Sequence, residues 1–359
     1  MQYFDEYVSN TLAGSANQSF FDLAGKTKCA RVYYKLFAGG KFDYSLLYSN
    51  TVDSTYADGA HSRKNYVCDE WEILSLRVKI CTSSDPSNDD GTFFDVTFDG
   101  KSTKRVRPAE LFSTDPVTLQ AKAGEYLCVE ITFTGNQIPC HPELWVASYT
   151  KTENGFVADK ALPVPSMVGC KRQVKKRVAF VGDSITQGIG PAPDSYLHYA
   201  ALTAQALGTD YSFWDLGIGF ARADDLASNG VWMYKAKQVD AACICFGVND
   251  LNRGFTAQQI IDNLTFIVNE LQKAGVKVLL QTVPPYDYMP ERIENWKTVN
   301  EYILQTLSKT VPVFYTSLAI ANQDEPYRAI YGGHPNEQGS ALWANALVPV
   351  LQSFLENVD

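Results

Sequence analysis

Ser184 ends an apolar run in KKRVAFVGDSITQGIGP, which spans Lys175 to Pro191. A serine hydroxyl is a weak nucleophile until a base takes its proton, so its chemistry depends on what else the chain brings to it. Three other short runs supply the missing parts. WDLGIGF carries Gly217 and Gly219, FGVND carries Asn249 and Asp250, and YGGHPNEQG carries His334. His334 suits the base. The backbone amides of Ser184 and Gly219, with the side-chain amide of Asn249, suit the donors that a tetrahedral oxyanion needs already in place. These are the parts for acyl transfer through a covalent serine intermediate, which calls for no metal and no organic cofactor.

Residues so far apart in sequence need a scaffold that gathers them. From Arg177 onward, short apolar segments (RVAFVG, YSFWDLG, DAACICFG, VKVLLQTV, VPVFYTS) alternate with helical patterns. Between Thr256 and Ala274, Ile260, Leu264, Ile267, Val268 and Leu271 share one face, with Thr256 as N-cap and Gly275 just past the end. From Pro290 to about Leu307, Ile293, Trp296, Val299, Ile303 and Leu307 recur at helical intervals. Such alternation predicts a parallel sheet with helices on both faces, whose reactive groups gather at the carboxyl ends of the strands. Ser184, Gly219 and Asn249 each follow one of these strands, and His334 precedes a final helix beginning near Asn336.

The earlier part of the chain reads differently. ARVYYKLFAG, FDYSLLYSN, EWEILSLRVKI, TFFDVTFDG and EYLCVEITFTG are rich in aromatic and β-branched residues and are spaced by turn residues. Phe94, Val96 and Phe98 alternate with Asp95 and Thr97, and Asp99-Gly100 supplies a hairpin turn. The expected organisation is an all-β sandwich or jelly-roll domain over residues 1–165, a linker over 166–176, and the α/β domain over 177–359.

A formal charge of −9, with no basic cluster beyond KRQVKKR, argues against a nucleic-acid partner. The N-terminal stretch lacks the basic start and apolar core of a signal peptide, and no run reaches membrane-span length; the expectation is a cytoplasmic protein with no membrane partner. The cysteines (29, 68, 81, 128, 140, 170, 243, 245) form no CxxC pair, so they read as small core residues in a reducing compartment. GIGPAP and GIGFAR do not complete a dinucleotide-binding pattern. His61 and His141 fall in the β-rich part and His198 in the helix after Ser184, which leaves them weaker base candidates than His334. Tyr56, Asp58, His61 and Trp145 are candidates for a sugar-stacking platform.

GDSITQG, DLGIG, GVND and HPN, in that order, resemble the four sequence blocks of the SGNH or GDSL-type esterases and lipases over roughly Lys175 to Asp359. The resemblance implies a flavodoxin-like fold, Ser184 as nucleophile, oxyanion donors from the second and third blocks, and His334 as base. A β-rich domain joined to such a domain resembles two-domain carbohydrate esterases. The expected reaction is therefore removal of small acyl groups, most simply acetyl, from carbohydrate hydroxyls, with an acetylated oligosaccharide or another small ester as substrate. A lysophospholipase or thioesterase, and a carbohydrate-binding protein with a decayed site, are the alternatives. Two positions depart from the pattern. Tyr331 stands where members usually carry an aspartate three residues before the histidine, so the site is either a Ser-His dyad with Nδ1 on a backbone carbonyl or one that borrows Asp324 or Glu325. Asp215 and Phe220 occupy the usual asparagine and second glycine of the second block, which leaves the backbone donor as Gly219 or Phe220.

Overall fold

Long β-branched and aromatic runs pair antiparallel in the first of two compact units. The computed structural model describes residues 2–55, 63–88 and 90–357. The first unit comprises residues 1–53, 65–173 and 212–214, and the second 54–64, 174–211 and 215–359. In the first, Tyr126–Gly135 lies between Thr27–Lys35 and Trp71–Cys81, antiparallel to both. Glu130 faces Arg31 on one neighbour and Arg77 on the other, a cross-strand arrangement that closes as ion pairs of 2.7 and 2.6 Å. A second antiparallel sheet is built on Gly40–Ser49, which pairs with Leu111–Ser113, Val117–Ala121 and Met167–Cys170.

Asp99 and Gly100 both take positive φ, 51° and 76°, and Phe98 and Lys101 exchange backbone hydrogen bonds across them, as a two-residue hairpin turn requires. The alternation before the turn is shorter than expected: the strand is only Phe94–Asp95, with Phe94 exposed while Val96 and Phe98 are buried. The segment 166–176 is not an open linker in its first part. Met167–Cys170 is apolar and fully buried, and it pairs with Val8–Ser9 as well as with Gly40–Ser49. Residues 212–214 group with the first unit because Phe213 packs edge-on against Phe37 and Trp214 packs against Phe4 while its Nε1 donates to the Ser166 carbonyl.

In the second unit, Arg177–Gly182, Ala241–Cys245, Lys277–Gln281 and Val313–Phe314 pair in that order, all parallel. Their nearly continuous burial is what a parallel sheet covered on both faces demands. Ala257–Lys273 is a helix closed by a capping box between Thr256 and Gln259, and it buries the five predicted apolar residues. Pro290–Gln305 is also helical, with Leu307 continuing as a 3₁₀ turn. The last helix, Glu337–Glu356, is capped by Asn336 and stacks Trp343 on Tyr199 at 4.3 Å, joining it to the helix Tyr199–Leu207. His198 is the N-cap of that helix rather than part of it. Among the described residues no helix is long and apolar enough to cross a membrane.

Candidate active site

Gly182 is the last residue of the first parallel strand, and the chain turns at once into the four-residue helix Ser184–Gln187. Asp183 caps it by accepting from the Ile185 amide at 3.0 Å. Burial pushes the Asp183 carboxyl up to about 7, with Asp250 adding to the rise, which suits a capping role better than that of a solvated charge. Ser184 is 8% exposed, so its hydroxyl is largely shielded yet still reachable. Two glycines permit the close approaches around it. A Cβ on Gly190, at φ 135°, would collide with the Pro335 carbonyl, and one on Gly217 with the Gln187 amide. The first brings the His334 segment against the turn after Ser184, and the second seats the 217–221 loop on the same short helix.

His334 Nε2 lies 2.7 Å from Ser184 Oγ, a hydrogen bond of the length that proton transfer needs. Its Nδ1 faces the hydroxyl of Tyr286 at 3.5 Å, and these two are its hydrogen-bond partners among the described residues. Burial lowers the His334 pKa from its ordinary value. Neither carboxylate suggested by the sequence bonds to it. Glu325 accepts from the Tyr327 hydroxyl at 2.5 Å and from Arg328 at 2.6 Å, and Asp324 is exposed. Tyr331 has its ring against Gly339 and its hydroxyl buried with no partner among the described residues, so it does not replace the aspartate as a bond to the histidine.

The expected oxyanion donors are not equivalent. Among the described residues the Ser184 amide has no acceptor, as first-turn amides do not. Asn249, in the short helix Val248–Asn252 after the second parallel strand, spends one Nδ2 proton on the Ala221 carbonyl at 3.0 Å and keeps the other. The Gly219 amide departs from the expectation: it donates to Gln187 Oε1 at 2.5 Å, because Gln187 ends the helix that the 217–221 loop sits upon. Phe220, the other donor the sequence left open, adopts φ 60° in a turn closed by Ala221 N and the Ile218 carbonyl at 3.1 Å. It therefore takes the left-handed backbone that a glycine would adopt without strain, at a cost of roughly 1–2 kcal/mol.

Tyr286 and Gln187 were missed in the sequence. Tyr286 lies in PPYDY, in the loop following the third parallel strand, and that position at a carboxyl end was the available signal. Trp145 is half-buried in the first unit; Tyr56, Asp58 and His61 lie outside the described residues. His141 is fully buried.

The Ser184–His334 pair thus stands at the carboxyl end of the first parallel strand. Residues 180–342 match the model of the GDSL-like lipase/acylhydrolase family. Solved structures similar to the chain include esterase EstA from Pseudoalteromonas sp. (18% identity over 50% of this chain and 99% of that one, TM-score 0.40). A carbohydrate esterase family 3 protein from Talaromyces cellulolyticus is also similar (20% identity, 51% and 99%, TM-score 0.39). A family two carbohydrate esterase from Cellvibrio japonicus is similar over 98% of this chain and 95% of its own, at 13% identity and a TM-score of 0.41. Likenesses at this level carry no weight for function. No curated protein matches the sequence.

Proposed function

We propose that the chain is a serine esterase that removes small acyl groups, acetyl foremost, from carbohydrate hydroxyls. The observation that carries the ester-hydrolase part is the 2.7 Å contact between Ser184 Oγ and His334 Nε2 within a GDSL-like acylhydrolase domain. As Ser184 Oγ bonds to the ester carbonyl carbon, its proton passes to Nε2, and the carbonyl oxygen becomes an oxyanion facing the Ser184 amide and the Asn249 side chain. Collapse expels the sugar oxygen, which takes the proton from Nε2. Water, deprotonated by the same nitrogen, then attacks the acyl-serine and releases the carboxylic acid, restoring the hydroxyl.

The carbohydrate and acetyl parts rest on the sequence organisation, in which a strand-rich segment precedes the hydrolase domain as in the carbohydrate esterases it resembles. Hydrolysis of nitrophenyl esters of increasing acyl length, beside acetylated oligosaccharides, separates the readings. Highest kcat/KM on acetyl esters and release of acetate from the oligosaccharide support the proposal. Preference for octanoyl or longer chains points to a lysophospholipase or thioesterase, and no turnover on any ester to a binding protein.

A further inference from the structure

We propose that Tyr286 is the positioning residue of this site, its hydroxyl oxygen accepting the Nδ1 proton of His334 in the place a carboxylate usually takes. The inference rests on the reading of Ser184 and His334 as nucleophile and base. For Nε2 to take the serine proton it must be the unprotonated nitrogen, so the proton of the neutral ring sits on Nδ1 and needs an acceptor. The phenol oxygen is the group at that nitrogen, at 3.5 Å, with the two rings meeting edge to face at 82° and 5.9 Å between centroids. A bond that is long in the unliganded site can shorten in the reacting complex.

The loop bearing Tyr286 is held as a positioning group requires. Asn300 grips Val283 on both sides, its Oδ1 accepting the backbone amide at 2.8 Å and its Nδ2 donating to the carbonyl at 3.0 Å. Trp296 Nε1 donates to the same carbonyl at 3.0 Å, the Tyr288 hydroxyl donates to the Pro284 carbonyl at 2.8 Å, and the Tyr286 amide donates to the Tyr327 carbonyl at 2.9 Å. The Tyr286 hydroxyl also rests on the backbone just before His334: a Cβ on Gly333 would stand 3.3 Å from it. Asp183, Asp287, Tyr288 and Tyr331 are the other ionisable groups acting on Tyr286 or acted on by it. Burial, with Asp183 and Asp287 adding to it, keeps its phenol neutral, so it offers a lone pair and not a full negative charge. A neutral acceptor orients the ring and fixes its tautomer while stabilising the imidazolium less than a carboxylate does.

The test is Tyr286→Phe, which keeps the ring and removes the oxygen, assayed beside Ser184→Ala on an acetyl ester across pH. Loss of one neutral hydrogen bond predicts a kcat lower by roughly tenfold with KM unchanged. The acidic limb of kcat/KM should move to lower pH, because the imidazolium has lost an acceptor; a merely structural residue would not move it. Should the phenylalanine variant misfold, 3-fluorotyrosine at position 286, read below pH 7, weakens the oxygen as an acceptor at almost unchanged size and should shift the limb in the same direction. A kcat within twofold of wild type and an unmoved limb, with Ser184→Ala inactive, overturn the role of Tyr286 alone. Turnover retained in Ser184→Ala overturns the reading beneath it.

Discussion

His198 has a buried carboxylate, that of Asp215, 3.3 Å from its Nε2, whereas His334 has a serine hydroxyl at 2.7 Å and no carboxylate among its described hydrogen-bond partners. Both belong to the second unit, and the division of parts between them is instructive. A histidine–aspartate pair is commonly taken as the mark of a hydrolase site, yet here that pair is almost wholly buried, with Asp215 Oδ1 also accepting the Gly217 amide at 2.7 Å. Burial pushes the Asp215 carboxyl up and His198 opposes that push, as in an internal pair that fixes a loop. The histidine that reaches the Ser184 hydroxyl is the one without a carboxylate partner among the described residues. On the proposed reading, contact with Ser184 at the carboxyl end of a strand, and not the company of a carboxylate, marks the base.

The comparison can be broken most decisively at the serine. Ser184→Ala removes the hydroxyl from the Ser184–His334 contact and should lower kcat by roughly a thousandfold or more while thermal unfolding is unchanged. Asn249→Ala should lower kcat by roughly a hundredfold with little effect on KM, since the donor is used mainly in the transition state. A pure KM effect would make Asn249 a substrate-binding residue. At the other histidine the expectation reverses. His198→Ala removes the buried ring beside Asp215 Oδ2 and should cost about 1–3 kcal/mol of stability by denaturant unfolding, while kcat of the folded protein stays within about tenfold. A kcat loss as large as that of Ser184→Ala would place His198 in the chemistry.

The smallest effect sharpens the contrast in pH. The base works only when neutral, so activity is lost as pH falls through the His334 pKa, and burial holds that pKa below its ordinary value of about 6.5. The acidic limb of kcat/KM should therefore fall below that point, and Glu325→Ala should leave it there. A limb above pH 7 that collapses in Glu325→Ala would mean that a carboxylate reaches the ring after all.

Much of this was legible in the sequence because Ser184 and Asn249 each follow a strand whose apolar run is visible locally. His334 stands just before the cap of the last helix, and the helix from Thr256 announces its cap, its face and its stop. The partners that decide finer chemistry are set by how loops meet. Nothing in PPYDY says that its first tyrosine faces Nδ1; that follows from Asn300 and Trp296 gripping Val283 from a neighbouring helix. Gln187 on the Gly219 amide is likewise a contact between two turns distant in sequence. Met167–Cys170 read as linker because proline and basic residues flank it, although its own four residues are apolar enough to be buried as a strand. The Phe94 alternation misled for the complementary reason, since period two marks a strand but not how far its pairing extends.

The most direct test of the account is to trap the acyl-enzyme. Rapid quenching of the protein during turnover of a nitrophenyl acetate, followed by intact mass and peptide mapping, should show a single acetyl group on Ser184, absent in Ser184→Ala and accumulating in His334→Ala no faster than background. Turnover with no acetyl on Ser184, or an acetyl group on another residue that forms and decays at the rate of turnover, would contradict it.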